Sequence, residues 1–134
     1  MRVATEILGR RLQDADRFLE SGKEEIREGK EKGDECQIRQ GFEKLFHALL
    51  NAYVARLFAY SQYQIYPETH ESVVENLRMA ALNREARFFL EMKEIYHARL
   101  YYQGEVNLYG LAEEYVETIE QEVRLSRDWV AKAM

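Results

Sequence analysis

Apolar residues recur every three to four places through the first part of the chain, at Val3, Ile7, Leu8, Leu12, Ala15, Phe18, Leu19 and Ile26. That period draws one apolar stripe along a helix. The stripe keeps its phase through Gly22, which predicts a single long helix over 2–31, although Ser21 and Glu24 have the spacing of a capping box. From Glu20 to Glu35 the chain is strongly charged, with opposite signs four apart at Arg27/Glu31 and Glu28/Lys32, and reads as a solvated hairpin tip. Gly33 supplies a stop and Asp34 the next cap. A second helix, over 35–63, is apolar around most of its circumference, with Phe42, Leu45, Phe46, Leu49, Leu50, Tyr53, Val54, Leu57 and Phe58. Such a helix must be covered on several sides and belongs at the centre.

Pro67 closes the following loop, and the capping-box match of Ser72 and Glu75 opens a short helix over 71–81. Asn83 is the expected cap of a fourth helix over 84–103, which Gly104 ends. A fifth starts between Asn107 and Gly110 and carries Leu111, Tyr115, Ile119, Val123, Ser126 and Val130 on one face. Nothing alternates with the period of a strand. The expectation is an all-α fold, an antiparallel up-and-down bundle of four long helices plus one short helix, in a single domain over 1–134.

Composition adds limits. One proline in 134 residues suits long helices, and a hydrophobic fraction of 46% suits a real core. With 24 acidic and 19 basic residues the net charge is −5, so no bulk basic field draws the chain onto nucleic acid and any such contact must be local. Cys36, the single cysteine, cannot form an internal disulfide, and residues 1–9 lack a signal-type apolar segment, which favours a cytoplasmic location. No membrane partner is expected, because the most apolar run, 42–60, carries Glu43, Lys44, His47, Asn51 and Arg56. An elongated bundle with aromatic residues to spare suits a homodimer.

There is no Gly-rich phosphate loop, paired-cysteine motif or Gly-x-Ser-x-Gly elbow, so the chemistries those motifs support are without basis. Gln40, Glu43, Lys44, His47 and Asn51 share a face of the second helix and form either a solvated edge or a polar groove. At α-helical pitch Arg99 shares its face with Met92, Ile95, Tyr96 and Tyr102, so it needs an acidic partner or a cleft, and Glu43 is the expected partner. The same pitch turns His97 away, beside Glu94 and Tyr101. Glu94 and His97 make one Glu-x-x-His unit of the kind that di-iron bundles use twice, and Glu43/His47 has the wrong spacing for the second. Neither a metal nor another cofactor is expected.

The run Gly41-Phe42-Glu43-Lys44-Leu45-Phe46-His47-Ala48-Leu49-Leu50 on a long second helix resembles the HEPN superfamily of prokaryotic helical-bundle proteins, whose second helix pairs an acidic or polar residue with a basic one four positions on. Glu43 and His47 match that spacing. His97-Ala98-Arg99-Leu100-Tyr101-Tyr102, followed by a short break and a last helix containing Asp128-Trp129-Val130, is similar to the family's later helices. Ribonuclease members there carry an arginine and, after four to six residues, a histidine. Arg99 fits the arginine; positions 104, 105 and 106 are Gly104, Glu105 and Val106, so the histidine is missing.

The resemblance implies a homodimer binding nucleotide or RNA, or a small nucleotidyltransferase partner, in a toxin–antitoxin or defence setting. The implied groove is lined by Glu43, His47, Arg99 and Tyr102, with arginine on phosphate, tyrosine on a base, and no catalytic residue. A helical interaction scaffold with no ligand site is the alternative, and a metal-independent ribonuclease using Arg99 with His97 or His47 a second.

Overall fold

The first helix, α1 (Arg2–Lys32), runs unbroken through Gly22, and Gly33 stops it at φ +67°. Asp34 then caps α2 (Glu35–Tyr60), its carboxylate accepting the Gln37 N–H at 3.1 Å. The structure, a computed structural model, describes residues 2–133. The two helices fold back on each other with little between them. A Cβ at Gly22 would stand 2.7 Å from the Gly41 carbonyl oxygen, and one at Gly41 would stand 2.8 Å from that of Gly22. The glycines sit mid-helix, despite their cost there, because the backbones touch at this level.

The tip between α1 and α2 is solvated as expected, with residues 30–35 all exposed, but the inner face of the charged run is not. Ile26 and Gly29 are buried, Lys23 pairs with Glu120 at 3.0 Å, and Lys30 pairs with Glu113. The charged run is thus both a solvated tip and the rim of an apolar contact with Ile38 and Gly41.

As expected, α2 occupies the centre: Phe42, Leu45, Phe46, Leu49 and Tyr53 have no exposed surface. It ends at Tyr60 rather than 63, because Gln62 and Tyr63 take φ +56° and +71°. The Ser61 hydroxyl holds that turn by accepting the N–H groups of Gln64 and Ile65. The short helix, α3 (His70–Met79), is capped by Thr69, which accepts the Ser72 N–H at 3.0 Å; the capping box at Ser72 does not open it. Asn83 does not cap the next helix, α4 (Asn83–Met92); Leu82 holds the cap position and makes no side-chain cap bond.

After Met92 the chain continues as a π-helix, Lys93–Tyr102, bonded i to i+5. Gly104, at φ +67°, ends it. The predicted fifth helix is three pieces: a 3₁₀ turn (Val106–Leu108), α5 (Tyr109–Glu114) and α6 (Val116–Ala133). The break at Tyr115 has a visible cause. The Ala112 carbonyl accepts the buried Tyr96 hydroxyl and, at 3.2 Å, the Tyr115 N–H, so the last turn of α5 tightens.

The fold is all-α, with no strand among the described residues; six α-helices replace the expected four long and one short. Phe42 meets Tyr96 while Tyr53 meets Phe89, so α4 and the π segment run antiparallel to α2. Tyr53 meets Glu122 while Tyr60 meets Trp129, so α6 runs parallel to it. No helix among the described residues is long and apolar enough to cross a membrane.

Candidate functional site

All three histidines of the chain fall in one cluster, His97 and His47 beside the Glu43 carboxylate and His70 against the His97 ring, although they come from three separate elements. Glu43 projects from α2 and is buried. His97, on the π segment, places Nδ1 at 2.7 and 2.9 Å from its two carboxylate oxygens. His47, one turn beyond Glu43, holds Nε2 at 4.0 Å. The His70 ring, at the start of α3, meets the His97 ring edge-on at 5.0 Å between centroids. Phe46 forms the floor, stacked on His97 at 5.3 Å and edge-on to His70 at 5.4 Å.

Tyr102 completes the group. Its ring meets His97 at 84° with 4.8 Å between centroids, and the residue is 69% exposed. His97 and Tyr102 are five residues apart, which in an α-helix would put them on different sides. With i to i+5 bonding the turn widens and residues five apart share a face. The π-helix therefore brings His97 both to Glu43 and to Tyr102.

Arg99 is elsewhere. It does not reach Glu43; its Nε and Nη2 donate to Glu105 at 2.8 and 3.1 Å, a bidentate pair. The expected partnership assumed α-helical phase, which the π segment does not have. This hydrogen bond from Arg99 lowers the Glu105 pKa, and its counterpart raises that of Arg99.

The missing histidine after Arg99 also has a structural counterpart. A Cβ on Gly104 would stand 2.7 Å from a terminal nitrogen of Arg39. A side chain there would have to displace the Arg39 guanidinium, and the positive φ disfavours any residue but glycine.

The polar stripe on α2 is neither an exposed edge nor one open groove. Lys44 donates to Glu25 at 2.8 Å and to Ser21 at 2.9 Å on α1, and Asn51 accepts from Arg11 at 2.7 Å. Glu43 faces the π segment, and Gln40 remains exposed. Of the four predicted site residues, Glu43, His47 and Tyr102 come together and Arg99 does not. His97, expected at the site only in the ribonuclease alternative and otherwise turned away, joins them, and His70 was missed. The only sequence signal for His70 is that the chain has three histidines, which says nothing of convergence.

Burial is the main cause that lowers the His47 pKa; the nearby Glu43 carboxylate opposes it and His97 adds to it. Burial also lowers that of His70, with His97 and Lys93 adding to the effect. When Nδ1 of His97 donates to Glu43, Nε2 is left as an acceptor, so a carboxylate-oriented imidazole lies next to an exposed aromatic face. Such a group can bind a base by stacking and hydrogen bonding, and can take up a proton. Among the described residues, no group of three or more His, Cys, Asp and Glu side chains is arranged to hold a metal ion.

Comparison of the chain with models of protein families, with curated proteins and with solved structures finds no match.

Proposed function

We propose that this protein is a HEPN-like helical-bundle protein, dimeric in solution, that binds a nucleotide or single-stranded RNA on the face formed by Glu43, His47, His97 and Tyr102, without cleaving it. The observation that carries the reading is the Tyr102–His97 pair, an exposed ring set over a histidine that a buried carboxylate orients. Aromatic rings of this kind stack on unpaired bases. The up-and-down bundle the resemblance calls for is supported by the alternating directions of α1, α2, α4 and α6. The homodimer rests on the resemblance and on the aromatic residues the chain carries to spare. The resemblance alone points to a toxin–antitoxin or defence setting and to a small nucleotidyltransferase as protein partner.

The test is titration of the purified chain with labelled single-stranded RNA and with nucleotides in EDTA, alongside Tyr102→Ala. Binding by the wild type that Tyr102→Ala weakens supports the reading. No binding of either ligand removes it and leaves the interaction scaffold, for which the closed Arg99–Glu105 pair speaks.

The metal-independent ribonuclease is favoured by one observation, the Glu43–His97 pair with His47 and His70 beside it, which has the makings of an acid–base unit. RNA cleavage in EDTA that His97→Ala abolishes would replace the binding-only reading with this one.

A further inference from the structure

If a nucleotide lies on Tyr102, its phosphate needs a cation, and the residue expected to supply it, Arg99, is already held by both oxygens of Glu105. Other cations near this face are also engaged: Lys44 by Glu25, and Lys93 by Glu71. Arg39 is not. Its guanidinium forms no ion pair or hydrogen bond with another described residue, and its Nε is buried without a partner. Arg39 is half-buried as a residue, and a guanidinium without a counter-charge costs free energy that an anion on its terminal nitrogens would recover.

Its position fits. Arg39 lies on α2 four residues before Glu43, so the two occupy neighbouring places on one side of the helix. Its Nη1 lies 2.7 Å from where a Cβ on Gly104 would stand, two residues beyond Tyr102. Because Gly104 has no side chain, the guanidinium can sit against the end of the π segment, one helical turn from the Glu43–His97 pair. A guanidinium presents a planar fork of donors that matches phosphate oxygens.

We infer that Arg39 is the phosphate-binding residue of this site, holding the phosphate of a nucleotide or of an RNA backbone whose base stacks on Tyr102. This rests on the nucleotide reading for the base and on Arg39 itself for the phosphate.

The experiment titrates the full chain with inorganic pyrophosphate, with uridine 5′-monophosphate, and with a short single-stranded RNA lacking terminal phosphates. It compares wild type, Arg39→Gln, Arg39→Lys and Tyr102→Ala. Arg39→Gln should weaken all three probes by about tenfold or more, and Arg39→Lys by less, since lysine keeps the charge and loses the fork. Tyr102→Ala should weaken the two base-bearing probes and spare pyrophosphate. The monophosphate and RNA arms separate a free nucleotide from a strand.

Wild-type affinity retained in Arg39→Gln overturns the inference; should that variant not fold, unchanged affinity in Arg39→Lys overturns it. Arg39-dependent binding of pyrophosphate alone upholds the phosphate site and removes the nucleotide reading. Binding of RNA that ignores Arg39 does the reverse. A wild type that binds none of the probes overturns both.

Discussion

Tyr102 lies edge-on to His97 at 4.8 Å between ring centroids, five residues further along the same helical segment. The contact exists because Lys93–Tyr102 is π-helical. Its consequence runs through three levels of structure. The widened turn brings His97 onto α2, Glu43 fixes the imidazole through Nδ1, and Tyr102 caps the pair from the solvent side.

Truncating Tyr102 should therefore affect binding and not folding. A base stacked on an aromatic ring contributes about 1–3 kcal/mol, so Tyr102→Ala should weaken RNA or nucleotide binding roughly 5- to 150-fold. Tyr102→Phe, which keeps the ring, should stay within about threefold of wild type. With 69% of the residue exposed, the thermal midpoint of both variants should remain close to that of wild type. Fluorescence anisotropy and a thermal melt on the same samples check it; equal affinity for Ala and Phe would remove stacking from the account.

The histidine cluster gives stability a pH dependence of definite sign. His47 and His70 have folded-state pKa values below 6.5, chiefly through burial, so the unfolded chain takes up their protons more readily. Their contribution is complete above about pH 7, is lost as the pH falls through 6.5 and below, and ends once the folded groups are protonated too. Thermal midpoints should fall between about pH 7 and 5, above the range in which Glu71 and Glu105 titrate. His70→Gln should flatten that slope, and a slope identical to wild type would show that the cluster does not govern it.

How far these features could be read in advance depended on which residues act locally. Gly33 and Asp34 end one helix and cap the next through their own backbone and side chain, so both were legible. The central place of α2 followed from apolar residues around its circumference. Glu43 and His47 were legible as a pair because α-helical pitch holds through α2. Arg99 and His97 were exchanged because the same pitch was carried into a segment that does not have it. Their alternation fits an α-helix well enough, and only packing against α2 and α5 selects the wider turn. His70 belongs to the site through tertiary contact alone, and no local pattern marks it.

The close approach of α1 and α2 makes one glycine substitution costly and another harmless. A Cβ at Gly41 would stand 2.7 Å from an Ile26 side-chain carbon, 2.8 Å from the Gly22 carbonyl oxygen and 2.9 Å from the Ile26 nitrogen. Two of the three are backbone atoms that cannot turn aside. Gly41→Ala should destabilise by about 1–3 kcal/mol through overpacking. Gly9, also mid-helix, has nothing within 4 Å of its would-be Cβ, and Gly9→Ala should stabilise by up to about 1 kcal/mol through helix propensity. Urea denaturation of the two variants measures both; Gly41→Ala as stable as wild type would mean the helices can separate freely.

A second ionic group lies deeper, away from the histidines. Arg56 pairs with Glu85 at 3.3 Å, both buried, and Arg84 joins Glu85 to Glu122 at 3.2 Å. Glu122 also accepts the Tyr53 hydroxyl at 2.6 Å, and burial, with Glu122 next in order, raises the Tyr53 pKa. Among the described residues Arg56 has no other carboxylate partner; its Nε is without a hydrogen bond, and its guanidinium lies over the Trp129 ring at 5.6 Å. Glu85→Ala should leave that charge buried and unpaired, at a cost of about 3–5 kcal/mol, a large share of the stability of a domain this size. Arg56→Met combined with Glu85→Leu removes both charges and fills the space, and should recover most of the loss. Chemical denaturation of the single and double variants measures the difference. If Glu85→Ala fell within about 1 kcal/mol of wild type, Arg56 would be reaching water in solution, and the network would be a surface feature in energetic terms.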